Sequence, residues 1–322
     1  MSQGIDPGCV RLRLGLVDDR VARVEVASER PAVAQVLRGR PADEAVRLVP
    51  LLFALCGRAQ GRAAALALDA ARGTEFQARL DPAIEAEVMR EHLWRWLIDL
   101  PPQLGQPALR DEFVAAAGWI AHGQRGDLAA LLADARIEAL CRSLLEAHDA
   151  ADARSPLLPW LDARGALAQW PQFDVAFCRA PQWRGAAAET GALARQQGRA
   201  ELPSRAFAAR WLARLAELRD WTGGRARVGA GGTASAVPVA PGRGRALVDT
   251  ARGLLMHEIV LDGVRIADYF IVAPTEWNFH PQGPLAGWLS GRDAGDRDAL
   301  QAFVARAVAA LDPCVRWELE WL

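Results

Sequence analysis

The sequence contains no lysine, so all 38 of its basic side chains are arginine. That bias reads as the codon usage of a GC-rich genome rather than as chemistry. A surplus of either charge is also missing, since the formal net charge is −1. No general electrostatic attraction to nucleic acid or to an anionic membrane follows from such a balance. Long apolar runs are absent, and none nears the ~20 residues that cross a bilayer. The N-terminus, MSQGIDPGCVRLRLG, lacks the basic-then-apolar pattern of a signal peptide. A soluble, cytoplasmic protein is therefore expected. Cysteine is sparse, with five widely spaced residues, Cys9, Cys56, Cys141, Cys178 and Cys314. An odd, scattered set suits free thiols or metal ligands better than a disulfide frame.

What is present is a chain of 322 residues, 51% of them hydrophobic, enough for a substantial core in one or two domains. Val10 to Leu16 and Val21 to Val26 alternate about Asp18-Asp19, which predicts a hairpin with one apolar face. Helical spacing follows over 31–37 and 42–55, placing Cys56 at a helix end, and again over 62–71. Further helices are predicted over 82–100, stopped by Pro101-Pro102, and over 112–122 and 127–148, with Asp127 as an N-cap. Ser204 to Trp221 reads as an amphipathic helix with Phe207, Trp211, Leu212, Leu215 and Leu218 on one side. Residues 223–245 are rich in Gly, Ala, Pro and Ser and read as a flexible loop or linker. A last helix covers 299–311, and no internal repeat is evident.

The most informative stretch is Arg252 to Gly283. Two apolar runs, Leu254 to Leu261 and Val264 to Val272, flank Asp262-Gly263 and predict a second hairpin. It closes on Pro274-Thr275-Glu276-Trp277-Asn278, residue types that a hairpin does not need. Cys56, in LCGRAQ, and Cys314, in DPCVRWELEWL, each lie near a predicted helix end. A thiolate near a helix N-terminus or a cation is a better ligand for soft metals. Alone, either cysteine is as well explained as a buried structural residue. Arg252 is likewise compatible with an ion pair, and Thr275 with a turn residue.

Together these motifs resemble the large subunit of nickel–iron hydrogenases. That family has C-x-x-C near its N-terminus and D-P-C-x-x-C-x-x-H at its C-terminus. Its hairpin opens with Arg-Gly, has a His five residues after the Arg, and closes with P-[ST]-x-W-N. Arg252-Gly253, His257 and Pro274 to Asn278 match the hairpin, and Asp312 to Cys314 match the C-terminal motif. The departures are specific. The second cysteines, which in the family bridge nickel and iron, are Ala59 and Trp317. The closing histidines are Ala63 and Glu320. The family's proton-relaying E-G-H is Pro7-Gly8-Cys9, and a proline carries no proton. The sequence ends two residues after Glu320, so the family's removal of a C-terminal extension is not expected.

The pattern is similar to the HupK/HoxV group of hydrogenase accessory proteins, truncated paralogues of the large subunit. The fold this implies is α+β, mainly α, a truncated large-subunit-like domain spanning 1–322 with a β-hairpin near each end. The resemblance implies a non-enzymatic maturation scaffold that carries an Fe(CN)2CO unit transiently, without nickel, on Cys56 and Cys314. Arg252, Pro274 and Thr275 would surround its diatomic ligands, with Cys9 as a further candidate thiol. The implied partners are the hydrogenase large-subunit precursor and HypC-type chaperones, with neither nucleic acid nor membrane. A metal-free docking protein that mimics the large-subunit surface is the alternative. Residual hydrogen chemistry is disfavoured by the missing bridging thiols and proton relay.

Overall fold

The structure is a computed structural model. It describes residues 8–29, 33–53, 55–147, 155–197, 199, 202–203, 206–225 and 233–322. The N-terminal alternation forms β1 (Cys9–Val17) and β2 (Arg20–Glu29), paired antiparallel with Val17 opposite Arg20. Asp18 and Asp19 make the turn at φ 49° and 53°. Two left-handed residues match the right-handed twist of the strands they join. Val10, Leu12 and Leu14 point into the core, while Arg11 and Arg13 point away.

Helices then follow in pairs and short pieces: α1 (Val33–Leu37), α2 (Ala42–Leu52) and α3 (Gly57–Ala71). The helical spacing past Leu52 does not persist. Phe53 is extended, and Cys56 caps the start of α3, which begins five residues earlier than Arg62. Strand β3 (Phe76–Arg79) leads to α4 (Pro82–Trp94), a wider π turn at Arg95–Asp99, and α5 (Leu100–Gln103). Pro101 and Pro102 sit in the first turn of α5, where a missing N–H costs nothing, so they do not stop the helical path at Leu100. Next come α6 (Arg110–Ala121), α7 (Arg125–Leu132) and α8 (Ala135–Glu146). The 127–148 prediction thus divides in two: Asp127 lies inside the first turn of α7, and Asp134 is the true cap, accepting from Arg136 N. Short helices α9 (Ala163–Gln169), α10 (Val175–Arg179) and α11 (Ala192–Arg195) precede the long α12 (Ala206–Thr222).

Helix α12 runs through the protein rather than along its surface. Phe207, Trp211, Leu215 and Leu218 are buried as predicted, but so are Arg210, Arg214, Glu217 and Asp220. The polar side faces a layer of internal ion pairs. Arg210 Nε binds Glu189 at 2.8 Å, and Glu217 binds Arg195 Nε at 2.5 Å and His92 Nε2 at 2.8 Å. A buried charge persists only when paired.

The linker expected over 223–245 is corrected where it contains strand. Ala234–Ala240 is β4, and β5 begins at Arg243 and ends at Thr250. Residues 226–232 lie outside the described residues. Small residues here serve close packing: a Cβ on Gly244 would lie 2.0 Å from Ala71 N, so β5 rests directly on α3. The remaining strands are β6 (Gly253–Asp262) and β7 (Arg265–Val272), which form the predicted hairpin with Asp262 opposite Arg265. The five-stranded antiparallel sheet has the order β3-β4-β5-β6-β7.

After β7 come α13 (Pro274–Asn278), α14 (Pro284–Leu289) and α15 (Arg297–Leu311). Strand β8 (Arg316–Trp321) then lies parallel to β1, with Cys9 opposite Arg316 and Leu12 opposite Leu319. This closes a three-stranded sheet in the order β2-β1-β8. No periodic pattern announces so long-range a pairing. It fixes the segment Asp312 to Val315 between α15 and the N-terminal sheet.

Candidate functional site

The β5–β6 hairpin turns in two residues, Ala251 and Arg252, because Thr250 pairs with Gly253. Gly253 adopts φ +126°, and a Cβ there would lie 2.3 Å from Thr190 Cγ2. Only glycine fits the conformation and the space, which explains the Arg-Gly pair. Arg252 at the tip is buried. Its Nε donates to Asp312 Oδ1 at 3.2 Å and its Nη2 to Glu91 Oε2 at 3.1 Å.

Asp312 ends α15 in the left-handed region at φ 57° and is also buried. Three guanidiniums face it: Arg95 Nη2 at 2.7 Å, Arg252, and Arg214 Nη2 at 4.0 Å. Burial by itself would raise the Asp312 carboxyl, but the three cations outweigh it and hold it well below the usual carboxylate range. Arg252 is correspondingly stabilised as a cation: burial works against its charge, and Asp312, Glu91 and the two cysteine sulfurs more than compensate.

Cys314 lies two residues beyond this carboxylate. Its Sγ is 3.2 Å from Thr275 Oγ1, and its backbone N donates to the same oxygen at 3.3 Å. Cys56 enters from the start of α3. Burial first and then Cys314 push its thiol up to about 12, against the opposing effects of Arg252 and a hydrogen bond from Gln60. Cys56, Cys314, Arg252 and Thr275 are thus brought into one neighbourhood from four distant segments. A cleft of about 450 Å³, lined by Cys314, Pro313, Asp312, Arg95, Leu55 and Trp317, reaches it from the surface.

The closing motif divides its labour. Pro274 occupies the first turn of α13, where no N–H is needed. Thr275 contacts Cys314. Glu276 accepts from Ala273 N at 3.0 Å and from Ser28 Oγ at 3.2 Å. Trp277 packs against Trp170 and Phe177, with ring centroids 5.6 and 6.2 Å away. Asn278 accepts from Thr190 N at 2.9 Å and donates to Arg252 O and Leu311 O, at 3.3 and 3.4 Å. That one amide ties the hairpin tip to the end of α15.

Cys9 is buried in β1, its thiol raised by burial and reached by the charges of Glu318, Arg316, Arg11 and Glu29. No disulfide joins any of the five cysteines. Ala59 and Ala63 pack inside α3, and Trp317 packs with the N-terminal sheet. Glu320 accepts from Arg11 and, at 2.8 Å, from Arg13 Nε. Pro7 lies outside the described residues. Among the described residues no group of three or more His, Cys, Asp or Glu is placed to hold a metal ion.

Several residues with a part in the site carried no signal of their own in the sequence. Glu87 on α4 accepts from Arg58 N at 3.0 Å and Ala59 N at 3.2 Å, capping α3 beside Cys56. Burial raises its carboxyl, and those two amides partly restore it. Glu91, Arg95, Arg214 and Gln60 become visible only once the helices are packed.

The fold is of the hydrogenase large-subunit type. The [NiFeSe] hydrogenase of Desulfovibrio vulgaris Hildenborough superposes with a TM-score of 0.65, covering 93% of this chain and 94% of that one at 15% identity. That of Desulfomicrobium baculatum gives 0.56 at 13% identity. Sequence relatives are more specific. The hydrogenase expression/formation protein HoxV of Cupriavidus necator is 33% identical, covering 92% of each chain. HupK of Azotobacter vinelandii is 31% identical over 97% of this chain and 98% of its own. No family model matches. The chain belongs to the HoxV/HupK family of hydrogenase expression/formation proteins.

Proposed function

We propose that this chain is a maturation scaffold that carries an Fe(CN)2CO unit on Cys56 and Cys314 before it passes to the hydrogenase large-subunit precursor. The observation that carries the reading is the meeting of both cysteines with Arg252 and Thr275 at one junction. The iron unit is cargo here, not a resident cofactor. Two thiolates leave coordination positions for carbon monoxide and cyanide. The hydroxyl of Thr275 and the N–H groups of Arg252 beyond its two ion pairs supply donors for cyanide nitrogens. Pro274 sets Thr275 in place. Arg95 and Arg214 add positive charge that suits an anionic cargo.

Alanine at positions 59 and 63, Trp317, and an arginine-paired Glu320 leave no further ligands of the large-subunit set. Incomplete coordination suits a group that must leave, and an enzymatic role in hydrogen conversion does not. HypC-type chaperones are the proposed donors of the unit, in the cytoplasm. Among the described residues no helix is long and apolar enough to cross a membrane.

One observation favours a second reading: among the described residues no group of three or more His, Cys, Asp or Glu is placed to hold a metal ion. Under that reading the chain docks hydrogenase or its chaperones without metal. Metal analysis of anaerobically purified protein, together with hydrogenase maturation in cells carrying Cys56→Ala/Cys314→Ala, separates the two. Iron without nickel in the wild type, with iron and maturation both lost in the variant, is expected. A metal-free wild type and full maturation by the variant would leave docking.

A further inference from the structure

Cys56 stands at one end of a buried row of hydrogen bonds that crosses from β7 to α3. Tyr269 Oη on β7 lies 2.8 Å from His257 Nδ1 on β6. His257 Nε2 lies 2.8 Å from Gln60 Oε1. Gln60, one turn into α3, directs Nε2 at Cys56 Sγ, 3.6 Å away. The same residue donates its backbone N–H to Cys56 O at 2.9 Å. Tyr269, His257 and Gln60 are each no more than 2% exposed.

The chemistry of each group sets the direction of the row. An amide oxygen only accepts, so His257 presents its proton on Nε2 to Gln60. A neutral imidazole then accepts at Nδ1, and the phenol hydroxyl of Tyr269 is its donor. Burial keeps His257 neutral, lowering it to about 3. Every donor therefore points toward the sulfur. Apolar side chains would fill this interface without the cost of burying three polar groups, so the row calls for a use. A ligating thiolate only accepts, and a donor backed by further donors stabilises it more than one acting alone.

We infer that Gln60, His257 and Tyr269 form a one-way donor row that fixes Cys56 as a metal ligand. His257 and Tyr269 are positioning residues that act through Gln60. The inference rests on the reading of Cys56 as a ligand, but its test needs no Fe(CN)2CO.

Tyr269→Phe removes one hydroxyl and little volume, and far-UV circular dichroism establishes that it folds. Long-range nitrogen–proton NMR reads the His257 tautomer in metal-free protein. The Nε2–H form is expected in the wild type and in Tyr269→Phe, with the Nδ1–H form appearing in Gln60→Leu, where the accepting amide is gone and Tyr269 Oη can accept from Nδ1. Titration with cadmium, followed by its thiolate charge-transfer band, reads the sulfur end. Binding is expected to weaken by ~10-fold in Tyr269→Phe and by up to ~100-fold in Gln60→Leu. An Nδ1–H tautomer in the wild type would overturn the inference. So would equal cadmium affinity in all three proteins, or none in the wild type. Failure of the carrier reading shows separately, as iron-free protein whose tautomer and cadmium affinity still follow the row.

Discussion

Replacing Asp312 by asparagine tests the electrostatic centre of the site. Asparagine keeps the size of the side chain and tolerates the left-handed φ of 57°. The change therefore removes charge and little else. In the wild type the buried carboxylate lies 2.7 Å from the partly exposed Arg95, and 3.2 and 4.0 Å from the buried Arg252 and Arg214. Glu91 and Asp99 still pair Arg252 and Arg95, so removing this shared counter-charge costs up to about 3–5 kcal/mol. Urea unfolding at pH 7 should show that loss as a lower midpoint at unchanged slope. The pH dependence has a definite sign. Asp312 is depressed in the folded state, so its contribution is complete above the unfolded carboxylate value of about 3.9 and is lost as pH falls below it. The gap between wild type and variant should be constant from pH 7 to 5 and close in stronger acid. A loss under about 1 kcal/mol at pH 7, or a gap that widens in acid, would refute the argument.

Other outcomes follow from the same geometry. Burial holds His92 at about 4 against the opposing influence of Glu217, so stability is full above the unfolded value of about 6.5 and falls as pH drops toward 4. The fall is about 3 kcal/mol at most, and His92→Gln should flatten that part of the urea-midpoint profile. Gly244→Ala places a methyl 2.4 Å from Ala67 O and should cost about 3 kcal/mol or more, seen as lost soluble expression or a lowered midpoint. Thr275→Val strips the partner from Cys314 N and should cost about 1–3 kcal/mol in thermal unfolding, whereas Thr275→Ser should restore most of it.

The two hairpins were legible because alternation and turn residues act over a few neighbours. Val10, Leu12 and Leu14 bury, and Gly263 takes φ +57° at its turn. The site motifs were legible as residue types, and the structure gives each a physical task, as with Asn278 tying Arg252 to Leu311. Strand β8 was not legible, since its pairing with β1 spans the whole chain and Arg316–Trp321 has no turn beside it to set a register. Residues 234–245 were read as a linker because Gly, Ala and Pro are poor strand formers, yet their small size is what lets β5 lie against α3. Helix α12 misled in another way. Its arginines and acids have the spacing of a solvated face, and only packing shows Glu217 between Arg195 and His92. The ion cluster around Asp312 stayed hidden for the same reason, because Arg95, Arg214 and Glu91 gain meaning only when α4, α12 and α15 meet.

The central claim is tested most directly by the infrared spectrum of protein purified without oxygen from cells with the full maturation machinery. Carbon monoxide and cyanide stretching bands are expected in the wild type and should vanish in Cys56→Ala/Cys314→Ala. A wild-type spectrum with no such bands, or bands that persist in the double variant, would contradict carriage on these two sulfurs.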